Sequence, residues 1–439
     1  MFKPKFFIFV IAATMVSISV FSQQKWSLER CINYAKENNL QIKQQKLQVA
    51  QAENNLAESK MGYVPSLNAS INHSMSWGRS VNLNDLAIIE NDLSQSTSMN
   101  ISSSIALFEG LQKHNRVKSN KKQVEIAYTN IEKLQNEISL SIVRSYLQVL
   151  LSMEMESTAL ESYNSVASQV ERTRELVEAG SQAYGSLLEV QAQLANEKVQ
   201  LIDAQNNVKS NKLALMQLLD INSDNFDIEI PQIGHLILDY MPADANEIFA
   251  QAQSLPAIKG AELAMEQSKL QYKIQKGAAL PTLSFSAGYG TYYSDNQKAA
   301  FLQQFDNNRN PSIGFGLSIP IFNGRRNNTA IKNSKLNVES SKIGYQIALQ
   351  SIMKEIQQAC NEASSCYQKF EAANHNADSA RETFKYTQEK FNLGMLDGTD
   401  YTVAKNNLFK AESALLQSKY QYVFQLKILD YYRNIPITL

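Results

Sequence analysis

The chain has 439 residues, 42 Lys and Arg against 42 Asp and Glu, and only 16 Gly and 9 Pro. Balanced charge leaves no basic surplus for nucleic acid, and so few turn formers exclude a loop-rich fold. The three cysteines, Cys31, Cys360 and Cys366, are an odd count at spacings that suit small buried thiols better than a disulfide framework.

The N-terminus reads as a targeting segment. Lys3 and Lys5 precede an apolar run from Phe6 to Phe21, and Ser22 offers a small residue for cleavage. This predicts a secretory signal peptide over 1–22, since the run is shorter than the roughly 20 residues a spanning helix needs. Its removal leaves 40 basic against 42 acidic side chains. No second apolar stretch of that length follows, so any membrane crossing must be made by strands.

From Leu28 to Met61 there is neither Gly nor Pro, which predicts a helix. A β-hairpin is then expected over about 65–108. Leu67, Ala69, Ile71, Met75 and Trp77 alternate with Ser66, Asn68, Ser70, Asn72, Ser74 and Ser76. The returning run alternates Met99, Ile101, Ile105 and Leu107 with Ser98, Asn100, Ser102 and Ser104. Period-two alternation puts one class of side chain on each face of a strand. From Leu111 to Ala179 no breaker occurs, and 69 helical residues could reach about 100 Å. Gly180 and Gly185 mark a turn, and a second breaker-free stretch returns, giving a helical hairpin over 110–220. Residues 221–245 carry Pro231, Gly234 and Pro242 and read as a linker.

The second half repeats this order over 246–439. A helix interrupted by Pro256 leads to a β-hairpin over 281–322, then a helical hairpin over 325–434 that turns at Gly394 and Gly398. The halves superimpose at an offset of 214: Phe108 and Gly110 on Phe322 and Gly324, Gly180 on Gly394. Heptad positions follow the same offset. Val117, Val124, Ile131 and Ile138 map onto Ile331, Val338, Tyr345 and Ile352. Leu187, Leu194, Leu201, Val208 and Leu215 map onto Tyr401, Leu408, Leu415, Tyr422 and Leu429. Shared period and shared offset imply tandem duplication, and a seven-residue repeat implies supercoiled helix pairs.

A soluble sandwich strand would alternate in the same way. Strand length and terminal aromatics (Trp77, Tyr292 and Tyr293 at one end, Phe108 and Phe322 at the other) favour a membrane barrel. Four strands cannot close one, because the smallest membrane barrels have about eight. Several chains must then share a barrel, or leave unpaired backbone groups in lipid.

Two motifs carry a family resemblance. Ile319-Pro320-Ile321-Phe322-Asn323-Gly324, echoed by Ile105 to Gly110, resembles the strand exit of the TolC-like outer-membrane efflux proteins. Phe391-Asn392-Leu393-Gly394 with Asp400, Ala404 and Leu408, echoed by Glu178-Ala179-Gly180 with Val190, Ala192 and Leu194, resembles that family's helical tip. The resemblance covers essentially the whole mature chain. It implies an α+β membrane protein: a homotrimer whose twelve strands form one transmembrane β-barrel and whose antiparallel coiled coils form a periplasmic α-barrel. It implies an outer-membrane channel of a tripartite export system, partnered by a periplasmic adaptor and an inner-membrane pump. A type I protein-secretion conduit, or a secreted coiled-coil scaffold or adhesin, are the alternatives. The resemblance also makes Asp400, with Asp397 as a substitute, the gate candidates, and Gly180, Gly185, Gly394 and Gly398 the adaptor-docking tips. Asp400 has Ser186 at the matching place in the first half, so that half departs from the pattern. The bland reading of Asp400 is a helix-start charge favoured by the dipole.

The inter-strand loops, 78–95 and 294–311, are expected outside the membrane, with Arg79, Asp85, Asp92, Asp295, Asp306 and Arg309 as their charges. His73, His114, His235 and His375 have no metal-ligand spacing, and no catalytic motif is present. The expectation is a non-enzymatic protein with no cofactor and no metal.

Overall fold

The computed structural model describes residues 25–81, 87–222, 226–231 and 244–439. The signal segment 1–22, Asp85, Gly234, His235 and Pro242 lie outside the described residues. The chain divides into two units, each drawing on both halves of the sequence: 1–43, 134–253 and 353–439 form the first, and 44–133 with 254–352 the second.

Among the described residues, chain order gives α1 (Leu28–Asn38), α2 (Leu40–Met61), β1 (Ser66–Val81), β2 (Ile88–Glu109), α3 (Gln112–Glu178) and α4 (Tyr184–Leu218). There follow α5 (Ala245–Ala252), α6 (Pro256–Gly277), β3 (Thr282–Ser294), α7 (Phe301–Asn307), β4 (Asn310–Ser318), α8 (Arg326–Asn392) and α9 (Gly398–Tyr432). The long helices α3 and α8 each have 67 residues, and α4 and α9 each have 35. Their bounds repeat at the 214-residue offset without slippage. All nine heptad pairs also share burial: Ile138 and Ile352, Leu187 and Tyr401, Val208 and Tyr422, and Leu215 and Leu429 are buried in both copies, and the rest are half-buried in both.

The chain reverses into and out of helix through left-handed backbone at matching places. Gly110 and Leu111 have φ +63° and +62°, and Gly324 and Arg325 both have +63°. Asp220 and Asn434 end α4 and α9 in the same conformation, at +56° and +59°.

In the second unit, β1 to β4 form one antiparallel sheet in sequence order. Ser66, Ser104, Ser286 and Gly314 lie in one row. One face carries Leu67, Ile71, Phe315 and Ile313, and these stay exposed: Leu67 by 75% and Ile313 by 76%. The other carries neutral hydroxyls that pair across β1 and β2, Ser66 to Ser104 at 3.1 Å, Ser74 to Ser96 at 2.7 Å and Ser76 to Ser94 at 2.7 Å. Among the described residues neither β1 nor β4 has an outer partner, and α7 lies against the end of β3, where Tyr293 meets Phe301 with ring centroids 4.9 Å apart. A small helical core lies alongside, with Val49, Ala52 and Ala127 buried together.

The first unit has a larger core. α1, the start of α2, the middle of α3, the end of α4 and part of α9 bury Ile32, Ile42, Ile142, Tyr146, Leu150, Leu215 and Val423 together with Phe226 and Ile228. Trp26 pairs with Ile228 as a parallel bridge. The Tyr146 hydroxyl donates to the Glu229 carbonyl at 2.7 Å and lies 3.0 Å from that of Trp26.

Several expectations need correction. The predicted helix over 28–61 breaks at Asn39, whose carboxamide accepts from the amides of Gln41 (2.9 Å) and Ile42 (3.4 Å) and starts α2. Residues 226–231, read as linker, pack into the core. The first hairpin keeps its expected limits, but its strands reach into the expected loop over 78–95: β1 runs through Gly78 to Val81 and β2 starts at Ile88, with a local register shift between Gly78 and Ser80. β4 stops at Ser318, so Ile319 to Phe322 lie beyond the strand. Trp77 pairs with Leu93 while Tyr292 pairs with Ser98, so these aromatics do not lie in one row. The loop over 294–311 holds α7. Its Gln304, 1% exposed, accepts from the Ser294 amide at 2.9 Å and donates to the carbonyls of Ala299 and Gln297. Of the cysteines, only Cys31 is buried; Cys360 and Cys366 are half-buried, and all three are free.

Candidate functional site

The residues singled out from sequence gather in the first unit, at the turns joining α3 to α4 and α8 to α9. Each turn is built the same way. Gly180 (φ +74°) and Gly394 (φ +70°) take the left-handed conformation that a side chain resists. The Gly180 and Ser181 amides donate back to Val177 and Leu176 carbonyls, at 3.0 and 2.8 Å. The Gly394 and Met395 amides donate to those of Phe391 and Lys390, at 3.0 and 2.9 Å. This double bond pattern satisfies the carbonyls that a helix end leaves open.

The copies diverge three residues after the glycine. Asp397 caps α9, its Oδ1 accepting from the Asp400 amide at 2.9 Å. The matching Ala183 offers no side-chain cap to α4. The Asp397 carboxylate is therefore directed into its own helix start, while the Asp400 side chain is exposed and lies in the first turn of α9, where the dipole favours an acid. Gly185 and Gly398 lie inside the helix starts rather than in the turns. A Cβ at Gly398 would strike the Glu189 side chain, whereas Gly180, Gly185 and Gly394 face open space.

One apolar cluster supports both turns: Val166, Val170, Leu187, Val190, Phe384, Phe391 and Tyr401. Tyr401 lies against Phe391 and Phe384, with ring centroids 5.0 and 5.5 Å away. Burial, and then the nearby Glu197 charge, push its hydroxyl up to about 12. Lys405 is buried with its ammonium 4.9 Å from the Phe384 ring centroid, and loss of hydration holds it below the ordinary lysine range. The Gln182 amide reaches the Phe391 carbonyl at 3.4 Å, tying one turn to the other.

The turns also present apolar side chains to solvent. Tyr184, Leu393 and Met395 are 65%, 74% and 68% exposed. Reading for glycines and acids missed them; the signal available was large apolar residues inside turns that need none. Among the described residues no group of His, Cys, Asp or Glu could hold a metal ion. No helix among them is long and apolar enough to cross a membrane. Of the loop charges, Arg309 and Asp306 pair at 2.7 Å, and the Asp295 carboxylate accepts from the Gln95 amide at 2.7 Å.

The family model for outer membrane efflux proteins matches twice, over residues 31–220 and 250–430. The chain belongs to the outer membrane efflux protein family. Among curated relatives it is 23% identical to the outer membrane efflux protein BepC of Brucella suis, over 94% of this chain and 87% of that one. It is 21% identical to the outer membrane protein TolC of Vibrio cholerae, over 95% and 92%. Among solved structures it resembles the channel-forming protein CusC, with a TM-score of 0.80 at 17% identity, over 94% and 93% of the two chains. These are non-enzymatic outer-membrane channels.

Proposed function

We propose that this chain is one third of a homotrimeric outer-membrane duct in a tripartite export system. The carrying observation is the sheet: four strands, an exposed apolar face along β1 and β4, and both edges without a partner among the described residues. Such a sheet is stable in lipid only when closed, and three copies would supply twelve strands. The apolar face would meet lipid, and the Ser-, Asn- and Gly-rich face would line a pore that neither holds nor repels cargo strongly. The two halves, with equal helix bounds and the same burial at the nine heptad pairs, support a duplicated unit. The α3–α4 and α8–α9 turns would face a periplasmic adaptor joined to an inner-membrane pump, with Tyr184, Leu393 and Met395 as the apolar contact. Asp400 is the gate acid in this reading, because three exposed copies near an axis would attract cations. Asp397 is the residue that holds Asp400's helix start in place. The leader 1–22 would be removed on export.

The deciding experiment is single-channel recording in planar bilayers beside a native mass in detergent. A trimeric mass with stable conductance is expected; a monomer with no conductance would sink the proposal.

A further inference from the structure

The second unit has a concentration of positive charge where the strands meet the helices. Residues 57–64, 109–122, 268–281 and 322–335 hold 13 of the chain's 42 Lys and Arg and only two acids, Glu58 and Glu109. They are 50 of 439 residues in a chain of balanced charge, so the basic groups are gathered here rather than spread.

Helix stability does not account for them. Arg116, Lys118 and Lys121 follow the start of α3, and Arg325 and Arg326 stand at the start of α8; neither helix has an acid in its first turn. Cations at a helix start oppose the dipole. Internal ion pairing does not account for them either. Lys122 takes Glu125 and Glu266, each at 2.9 Å, and Lys113 donates to the Ala106 carbonyl at 2.7 Å. Arg116, Lys118, Lys121, Arg325 and Arg326 are exposed, and none makes an ion pair among the described residues.

Apolar side chains lie between this charge and the strands. Met61 ends α2 and Tyr63 and Val64 follow it, Leu111 precedes α3, and Ile321 and Phe322 follow β4, the last two 93% and 85% exposed. The order along the chain is apolar strand face, exposed apolar junction, then exposed cations. That is the order of hydrocarbon, interface and headgroup in a bilayer. We propose that this basic collar binds the anionic phospholipid headgroups of the leaflet on the helix side of the sheet. The proposal rests on the sheet being the membrane-spanning part, as argued above.

The test uses the full-length protein reconstituted in phosphatidylcholine vesicles containing spin-labelled phosphatidylglycerol or spin-labelled phosphatidylcholine. The immobilised lipid fraction is read by electron paramagnetic resonance, and conductance is recorded on the same preparations. A preference of about fivefold for phosphatidylglycerol, weakening in high salt, is expected. It should fall to parity in the variant Lys118→Gln, Lys121→Gln, Arg325→Gln, Arg326→Gln, with conductance kept. Equal binding of both lipids by a conducting wild type overturns the collar and leaves the channel reading standing. An unchanged preference in the variant also overturns it. So does a shift in the variant's anion-to-cation permeability without any lipid preference, which would put the charges inside the duct. A wild type with neither conductance nor lipid preference removes the channel reading itself.

Discussion

Gly110 and Gly324 occupy the same place in the two halves and share φ +63°, yet their surroundings differ. At Gly324 a Cβ would have nothing within 4 Å. At Gly110 it would run into the Gly277 backbone at its carbonyl oxygen, carbonyl carbon and Cα. Gly324→Ala should then cost only the left-handed strain of a side chain, about 1 kcal/mol. Gly110→Ala carries the same strain and must also push apart two backbones that no rotamer change can separate. Overpacking of this kind adds about 1–3 kcal/mol, so a total of about 2–4 kcal/mol is expected. Urea unfolding of the detergent-solubilised variants measures both, by midpoint where refolding succeeds and by unfolding rate where it does not. Equal costs would refute the reasoning, because conformation is matched and only the Gly277 contact differs. Gly277→Ala should reproduce the larger loss from the other side, since a Cβ there would meet the Gly110 carbonyl.

Asp397→Ala removes the α9 cap and should cost about 1 kcal/mol, seen as roughly fivefold faster hydrogen exchange at the Asp400 amide; unchanged exchange would show that the cap is idle. Tyr401 gives a pH dependence. Its hydroxyl, pushed from 10.0 to about 12, keeps its proton in the folded state over a window where the unfolded chain has lost its own. Stability should therefore fall as pH rises through that window, by up to about 1.4 kcal/mol per pH unit, and Tyr401→Phe should flatten the slope; an equally steep slope in the variant counts against the assignment. Asp400→Asn should weaken block of the open channel by multivalent cations, and block unchanged from wild type would take Asp400 out of the gate.

Much of the fold was legible because its signals are backbone signals. A breaker-free stretch bounded by left-handed glycines has few alternatives, so α3 and α8 fall within a residue or two of the expected limits. What escaped was structure made by side chains and distant partners. The Asn39 break uses no Gly or Pro; an Asn carboxamide inside a helical pattern caps as readily as it is tolerated. Residues 226–231 hold the composition of a connector, and distant partners make them part of the core: the Trp26 backbone and ring, the Tyr146 hydroxyl and the Lys212 ammonium. Helix α7 is too short to carry a period, and one buried glutamine organises it.

The site was legible to the same depth and no further. Glycine at 180 and 394 announces a turn because the left-handed backbone selects it, and both turns are where they were expected. The chemistry that separates the turns is not a backbone property. Asp397 against Ala183 and Gly398 against Tyr184 leave helix limits and core burial unchanged, so no periodicity records them. Their effect is local: one helix start gains a cap and lies close against Glu189, and the other keeps an exposed Tyr184. Where the two halves match, packing demands it, and these positions are free to differ because packing does not specify them. A ring built from the second turn alone would carry one acid per chain besides the capping Asp397, which makes the divergence between the halves, rather than their likeness, the place to seek gating.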